Sequence, residues 1–513
     1  MIESSKICSF LKNIYKIFLE SKLYAILLAA VNFFAASYDK SKLRKVLIGK
    51  GDIEDYAQDS GVYAVLGKIA SAVTGFAEKL CRGLARFYPE SLVKKVYDAF
   101  FKKPFDELYI YFVSFVSVFI FIIPHNFWSN MFGMFFAAVL FLLYVVALAG
   151  NNKQYVPGKN ANKIWFSVIL FGFSLLVSCF VSYDMGDSIR VLLFFITSFM
   201  LCHVIYASVK DARGLDVICG FMYASLMITS LFALVQRVIG VEADASLTDM
   251  TLNEGMPGRV FSTLGNPNNY AEYLVLFMPF AFAFALNYKP GKKKAALIGG
   301  MVLPLAAILL TYSRSGWIAL AIATVIFVSL YDKRLIPVFI VLGILAIPFI
   351  PQNILNRILT IGNLEDSSSS YRVDIWTGCL KMLKEYWFTG VGLGTGGFAE
   401  IYPEYAVGES GVAPHSHMHF MEMLIELGVL GFISYLCMTF TLIRRSFKAA
   451  ARNVPQKVRN VAIAAASSMT GIVLIGCFEY CWFYPRVMFA FFVCAGVAMA
   501  THRQSLIFGI DEI

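Results

Sequence analysis

Three of the six histidines in this 513-residue chain lie within five residues, as His415, His417 and His419. An imidazole titrates near neutral pH, so it can take a proton from a hydroxyl group or hydrogen-bond a phosphate. Alternate residues of an extended loop can also share a face and bind a metal ion. Neither an HExxH motif nor a paired-cysteine pattern accompanies the triplet, and a plain solvated loop is the third interpretation. We favour catalytic or phosphate-binding histidines, and we expect no metal and no other cofactor.

Several arginines form a second group that could do chemistry, because they lie at the ends of apolar runs or in the loops between them. An arginine at membrane depth is costly unless it faces a polar cavity or a partner. For any single one, an ion-paired or snorkelling structural role is the alternative. Several guanidinium groups on one surface instead suit a phosphate or diphosphate, which they can bind bidentately. These residues are Arg190, Arg259, Arg314, Arg372 and Arg486.

Two glycine-containing motifs accompany these residues. Arg259 opens a stretch that ends in Gly-Asn-Pro-Asn268, and its proline and asparagines are typical of a turn before a helix. The spacing Gly392-x-Gly394-x-x-Gly397 matches a dinucleotide-binding fingerprint formally, but no β-strand pattern precedes it. We expect these glycines to make tight turns against the membrane surface instead.

The composition sets the class of protein that must position these groups. Hydrophobic residues make up 58% of the chain and charged residues only 15%, which is too little charge to cover a soluble protein of this length. The sequence therefore predicts a polytopic membrane protein. Its formal net charge of +10 is assigned to cytoplasmic loops that meet anionic lipid, and nucleic-acid binding is not expected.

Long apolar runs begin near residue 108, each close to the length needed to cross about 30 Å of hydrocarbon. The predicted fold class is an all-α integral membrane protein of about twelve transmembrane helices, with a large extracytoplasmic loop before the tenth. The predicted spans are 108–123, 131–149, 164–181, 188–206, 215–240, 270–286, 295–311, 316–331, 335–350, 421–443, 461–478 and 484–500.

The connecting loops alternate between Lys/Arg-rich and Lys/Arg-free, and the positive-inside rule places the basic set in the cytoplasm. Both termini are then cytoplasmic, and the loops 241–269 and 351–420 are outside. The chain divides into a basic, amphipathic cytoplasmic extension (1–106), spans one to nine (107–350), a large outer loop (351–420) and the last three spans with a short tail (421–513). In the extension, apolar residues at helical spacing among lysines indicate helices lying on an anionic membrane face.

Taken together, the motifs resemble those of the O-antigen ligase and Wzy-type O-antigen polymerase superfamily. The residues that carry the resemblance are Gly258-Arg259 followed by Gly265-Asn-Pro-Asn268, then Tyr312-Ser-Arg314-Ser-Gly-Trp317, then Arg372-x-x-x-Trp376 with Gly390-x-Gly392-x-Gly394, and last His415-Ser-His417 with Gly428. His417 and Gly428 keep the spacing of the ligase signature, whereas Met418 and Met421 replace its polar residue and its leucine.

The resemblance implies a metal-independent, inverting glycosyltransferase. Its donor is a glycan on undecaprenyl diphosphate, whose diphosphate is bound by outer arginines, and its essential histidine lies in the large outer loop. By this resemblance His417 acts as general base or positions the diphosphate, and Arg259 and Arg314 neutralise the leaving group. The candidate catalytic residues are His417, Arg314 and Arg259, and the candidate substrate-binding residues are Arg372, Arg190, His415, His419 and Asn268.

Three functions remain open at this point. A polymerase joins one lipid-linked repeat to another, and the altered ligase signature makes it the preferred interpretation. A ligase moves finished glycan onto a lipid A core or another acceptor. A polysaccharide or lipid transporter is disfavoured, because the spans show no obvious inverted repeat and few acidic residues. The expected partners are the lipid-linked donor, a glycan or lipid-linked acceptor, membrane lipids and a chain-length regulator, at a bacterial inner membrane.

Overall fold

A computed structural model describes residues 6–49, 51, 55, 57–151, 161–241, 257–362, 367–408 and 410–508. In this part of the chain the secondary structure is helical, without strands, which confirms the predicted class. Most of the predicted outer loop 241–269, and Lys153 and Lys159 in one of the predicted basic loops, lie outside the described residues. The helices are α1 (Lys6–Leu19), α2 (Lys22–Lys40), α3 (Lys42–Ile48), α4 (Gly61–Phe87), α5 (Leu92–Phe100), α6 (Phe105–Ile122), α7 (Asn130–Asn151), α8 (Ala161–Phe180), α9 (Met185–Ser208), α10 (Ala212–Ile239), α11 (Pro267–Leu286), α12 (Lys292–Gly300), α13 (Val302–Leu310), α14 (Arg314–Asp332), α15 (Ile336–Ala346), α16 (Gln352–Leu359), α17 (Ser367–Tyr386), α18 (Thr395–Ile401), α19 (His419–Ala451), α20 (Gln456–Ile475) and α21 (Pro485–Phe508).

The number of spans differs from the prediction. In the described part of the chain, eight helices are long and apolar enough to cross a membrane, or up to ten if two bent helix pairs each count as one span. Two further apolar helices, Glu107–Ile122 and Trp165–Phe180, are shorter. Each of the twelve predicted segments coincides with a helix or a broken helix. The count of twelve is nevertheless not confirmed, because apolar runs do not reveal where a helix bends.

The centre of the bundle is formed by α11, α20 and α21. Most residues in these three helices are buried, and α21 is buried throughout its apolar stretch. Small residues let them approach closely: a Cβ on Gly471 of α20 would lie 2.7 Å from Val275 of α11. Helices α9, α14 and α19 pack around this centre. The loops at one end of this closely packed bundle carry the candidate residues.

The stretch 351–420, which was predicted to be the large outer loop, is mostly helical. Helix α16 follows a bend of 115° after α15, so it folds back towards the start of α14. Helix α17 then places Arg372 at its first turns, and α18 follows the glycine-rich stretch. A small hydrophobic core of its own holds this layer together, built around Ile375, Phe398 and Tyr402.

Helix α19 is broken at Gly428, where the backbone has φ 64° and ψ −179°. The left-handed φ alone favours glycine. A Cβ at this position would also lie 2.1 Å from the carbonyl oxygen of Phe388. The glycine of the histidine–glycine spacing is therefore required by the fold. It separates a short outer helix, which begins at the histidine triplet, from the long membrane-crossing part.

Candidate functional site

The candidate residues come from segments that are far apart in sequence and meet at one end of the bundle. Two of these segments lead into helices whose first amides are capped by a side chain. The side chain of Asn266 accepts hydrogen bonds from the first amides of α11, and Ser313 does the same for α14. These caps fix the direction in which Asn268 and Arg314 leave the helix termini. The short loop between α20 and α21 supplies the residue at the centre, Glu479.

Glu479 connects three of the predicted residues and was not predicted itself. Its Oε1 accepts hydrogen bonds from Arg372 at 2.5 Å and from Nδ2 of Asn268 at 3.0 Å. Its Oε2 lies 3.9 Å from Nδ1 of His417. Burial would raise the pKa of the Glu479 carboxyl, but the charge of Arg372 and the neighbouring His417 outweigh it and lower that pKa to about 2. The carboxylate is therefore ionised at every physiological pH.

Arg259 is buried and reaches Glu479 through one amide. Its Nε donates to the carbonyl oxygen of Thr311 at 2.8 Å, and its terminal nitrogen donates to Oδ1 of Asn268 at 2.5 Å. Asn268 thus accepts from the arginine with its oxygen and donates to Glu479 with its nitrogen. Burial and the positive charge of Arg357 lower the pKa of the Arg259 guanidinium to about 9, so it stays protonated at pH 7.

Arg314 and Arg357 extend this positive surface. Arg314 donates to the carbonyl oxygen and hydroxyl of Thr360, at 3.0 and 3.3 Å, which ties α14 to the end of α16. Arg357 is almost fully buried, and its Nε donates to the carbonyl oxygen of Tyr312 at 3.4 Å. Sequence reasoning missed Arg357, although its position among the aliphatic residues of α16 sets it apart from a solvated loop residue.

Arg259 therefore lies close to three further guanidinium groups and to one carboxylate. The charges of Arg314, Arg357 and Arg372 each lower the pKa of Arg259, whereas Glu479 raises it. We call these five residues the arginine cluster. Four guanidinium groups gathered in largely buried surroundings suit a phosphate or diphosphate, which they can bind bidentately.

The turn of residues 415–418, which we call the histidine turn, lies beside this cluster and is held from two sides. The indole nitrogen of Trp376 donates to the carbonyl oxygen of Ser416, and a buried oxygen of Glu422 accepts from the Ser416 amide at 2.6 Å. His417 itself has a φ of 52°. In the described part of the chain the other non-glycine residues with positive φ are Ser262 and Tyr312, close to Arg259 and Arg314. Strained backbone is concentrated where the candidate side chains are presented.

The three histidines have different surroundings. His419 is buried among aromatic rings, 4.5 Å from Trp482 between ring centroids, so it serves packing. The ring of His415 packs at a tilt against the rings of His417 and Phe483, and burial together with the His417 charge lowers the pKa of His415 to about 3. His417 keeps 24% of its side chain exposed, with its buried Nδ1 turned towards Glu479. Of the three, His417 is the one suited to proton transfer.

Arg190 does not join the arginine cluster in the way its sequence position suggested. It is largely exposed at the start of α9 and pairs with Asp187, three residues earlier in the same helix. The second oxygen of Asp187 accepts from the amide of Gly396. This arginine therefore belongs to the junction between α9 and the glycine-rich stretch.

The glycine-rich stretch packs against protein. The amide of Val391 donates to the carbonyl oxygen of Ile425, and the amide of Gly394 donates to the carboxylate of Glu426 at 2.9 Å. A Cβ on Gly392 would lie 2.2 Å from Ser182, in the loop before α9. The surface that these glycines approach is thus the α8–α9 loop and the outer part of α19, whereas the sequence pointed to the membrane surface.

The described residues hold no group of three or more His, Cys, Asp and Glu side chains placed to bind a metal ion. Residues 299–436 match the family model of the O-antigen ligases. The matched stretch runs from the end of α12 into α19 and contains Arg314, Arg357, Arg372 and His417, whereas Arg259 and Glu479 lie outside it. No curated protein matched the chain.

Proposed function

We propose that this multi-pass membrane protein is a glycosyltransferase of cell-surface polysaccharide assembly, which transfers a glycan from undecaprenyl diphosphate to an acceptor on the outer face of the membrane. The observation that carries the proposal is the arginine cluster with His417 at its edge. The family match at residues 299–436 supports the same class of enzyme. In this proposal the site is extracytoplasmic and both termini are cytoplasmic.

The cluster would bind the diphosphate of the donor. When the bond between the anomeric carbon and the phosphate oxygen breaks, the electron pair stays on the diphosphate and its negative charge grows. Arg259 and Arg314, which are pre-oriented by Thr311 and Thr360, stabilise this charge without rearranging at the moment of reaction. Arg357 and Arg372 add two further charges to the same region.

His417 would take the proton of the acceptor hydroxyl. The hydroxyl oxygen attacks the anomeric carbon from the side opposite the leaving diphosphate, which inverts the configuration, and its proton passes to the imidazole nitrogen that does not face Glu479. The imidazolium formed in this step lies at ion-pair distance from Oε2 of Glu479, 3.9 Å from Nδ1. The carboxylate therefore stabilises the protonated state.

A polymerase remains our preferred assignment, and the ligase is the second candidate. The preference rests on Met418 and Met421. Met418 occupies the N-cap of α19 without a side-chain hydrogen bond, where the polar residue of the ligase signature could cap the helix. Met421 packs on the small core of the outer layer as a leucine would. The ligase is favoured by the match to the O-antigen ligase family and by the spacing from His417 to Gly428.

A transporter would place its polar groups near the middle of the membrane. The arginine cluster instead lies at the first residues of α14 and α19, the helices that begin at Arg314 and His419. This placement supports chemistry on a membrane-borne substrate at one face.

The test is glycan profiling of cells that carry His417→Ala, Arg314→Ala or Arg259→Ala, with the protein quantified in the membrane fraction. Arg190→Ala is the matched control, because this arginine lies on the same side and pairs with Asp187. Accumulation of single-repeat lipid-linked glycan with loss of long chains identifies a polymerase. Long chains that remain on the lipid carrier identify a ligase. Normal glycan in the three variants, with the protein present, would refute the proposed site.

A further inference from the structure

The helices before α6 have no role in the proposed transfer, and they carry the largest set of exposed apolar side chains in a charged setting. Residues 1–106 hold 17 Lys and Arg against 11 Asp and Glu, a net charge of +6 out of +10 for the whole chain. Helices α1 to α5 occupy most of this segment.

Their attachment points lie at identifiable helix ends. The hydroxyl of Tyr24 donates to the carbonyl oxygen of Arg334, just after α14. Arg444, near the end of α19, donates to the carbonyl oxygen of Gly49 at 2.9 Å, just after α3. Tyr63 of α4 packs on Phe166, near the start of α8, with the ring centroids 4.8 Å apart.

These helix ends lie on the side opposite the arginine cluster. Helix α14 begins at Arg314 and α19 at His419, so their other ends are one helix length away from the site. The two far ends are neighbours through α20, because Arg459 near its start donates to the carbonyl oxygen of Leu330 at 2.8 Å. Since α2 is held near Tyr24 and again through α3, both of its ends are on this far side. We therefore infer that α2 lies along the bundle end, so that the bent pair α1–α2 does not cross the membrane although it is long and apolar enough to do so.

The free faces of these helices are amphipathic. In α1, Phe10, Ile14 and Ile17 are exposed along one side, and Lys12 and Lys16 point to the other. In α2 the exposed apolar residues also share one side, and they are Leu23, Ile26, Phe33 and Phe34. A basic residue lies at each end of this helix, Lys22 at its start and Lys40 at its end.

The same pattern continues in α4 and α5. Exposed apolar residues follow one stripe of α4, at positions 62, 65, 69, 84 and 87, and Phe87 is 74% exposed. In α5, Leu92, Val96 and Phe100 form the apolar side, and Phe100 is 79% exposed. Arg86 and Lys95 are exposed on the polar sides of these two helices. Large aromatic side chains at such exposure are costly in water and favourable in the interfacial region of a bilayer.

From these observations we propose that α1 to α5 form a collar that lies in the headgroup region of the leaflet opposite the site and binds anionic phospholipid. The apolar stripes enter the acyl boundary, and the lysines and arginines meet lipid phosphates. Charge complementarity selects this occupant: each basic residue near an anionic membrane surface strengthens binding about fivefold. The collar would hold α15 through α2, because α15 packs on α2 as well as on α14.

The test uses the full-length protein in nanodiscs of phosphatidylcholine, with or without phosphatidylglycerol, and measures hydrogen–deuterium exchange by mass spectrometry. We expect the amides of α1, α4 and α5 to exchange several-fold more slowly with phosphatidylglycerol present, and this protection to vanish at high salt. Amides of the central helix α20 should be the same in both lipids, which reports that the fold is intact.

The variant Arg86→Gln with Lys95→Gln should lose most of the lipid-dependent protection, because two contacts of about fivefold are removed. The matched control is Lys292→Gln with Lys293→Gln, two charges removed from the basic start of α12. Equal exchange in both lipids would overturn the proposal. Protection that requires cell extract and ignores lipid charge would also overturn it, since it would assign the surface to a protein partner.

Discussion

Replacing Glu479 with glutamine tests whether this carboxylate is the internal counter-ion of the arginine cluster. Glutamine keeps an oxygen that can accept from Asn268 but removes the negative charge next to Arg372. The pKa of Glu479 is about 2, against an ordinary value of 4.5. At 1.36 kcal/mol per pKa unit, this difference corresponds to about 3 kcal/mol of stabilisation of the folded protein.

The sign of the pH dependence follows from the direction of the shift. A carboxyl whose pKa is lowered by folding stabilises the protein fully above its unfolded pKa and loses this effect as the pH falls towards 2. Between pH 5 and 8 the contribution of Glu479 is constant. The comparison between wild type and variant can therefore be made at any neutral pH without a titration of this group.

The assay is thermal unfolding of the purified protein with and without pyrophosphate. We expect Glu479→Gln to be less stable by about 3 kcal/mol, because the charged partner of the largely buried Arg372 guanidinium is removed. We also expect pyrophosphate to stabilise the variant more than the wild type, since the added anion replaces the missing charge. Glu404→Gln, at an exposed outer-loop position, is the control and should change neither quantity. Equal stability and equal pyrophosphate response in variant and wild type would show that Glu479 does not neutralise the arginines.

Three further predictions concern the outer layer. Gly428→Ala should abolish accumulation of folded protein, because a Cβ would lie 2.1 Å from a backbone oxygen, whereas Gly299→Ala, with nothing within 4 Å, should accumulate normally in membrane fractions. His415→Phe should lessen the loss of stability that unfolding experiments measure between pH 6.5 and pH 4. The reason is that the wild-type imidazole has a pKa of about 3 in the folded protein, so only the unfolded chain takes up the proton in this range. An unchanged dependence of stability on acid pH would contradict a buried neutral ring. Met418→Asn should raise the unfolding free energy by about 1 kcal/mol through a new N-cap hydrogen bond, and an unchanged or lower value would show that this helix start is not limited by its missing cap.

Much of the candidate site was predictable because its residue types are rare in their setting. Arg259, Arg314 and His417 are polar groups at the ends of apolar runs, and few positions in a membrane protein combine these features. Arg190 shares the feature, but Asp187 stands three residues before it, and that spacing supplies a partner on the same helix face. A closer comparison of neighbouring charges would have separated it from the other arginines.

Glu479 and Arg357 were missed for different physical reasons. Glu479 lies in a loop that was characterised by its lack of Lys and Arg, although a single carboxylate between two apolar helices is itself a signal of a buried partner. Arg357 becomes buried only because α16 folds back after a bend of 115°. That bend depends on tertiary packing, which the periodicity of the sequence does not reveal. The same packing decides how many helices are long enough to span the membrane.

The break at Gly428 also bears on how the protein is made. At 1.5 Å per residue, the uninterrupted part 429–451 is about 34 Å long, close to the thickness of the hydrocarbon layer of about 30 Å. This part contains no Asp or Glu, whereas residues 419–427 contain Glu422 and Glu426. During synthesis the insertion machinery can therefore accept the span after the glycine and leave the two carboxyl groups outside the lipid. We expect residues 419–427 to fold afterwards, once the glycine-rich stretch that contacts them is available.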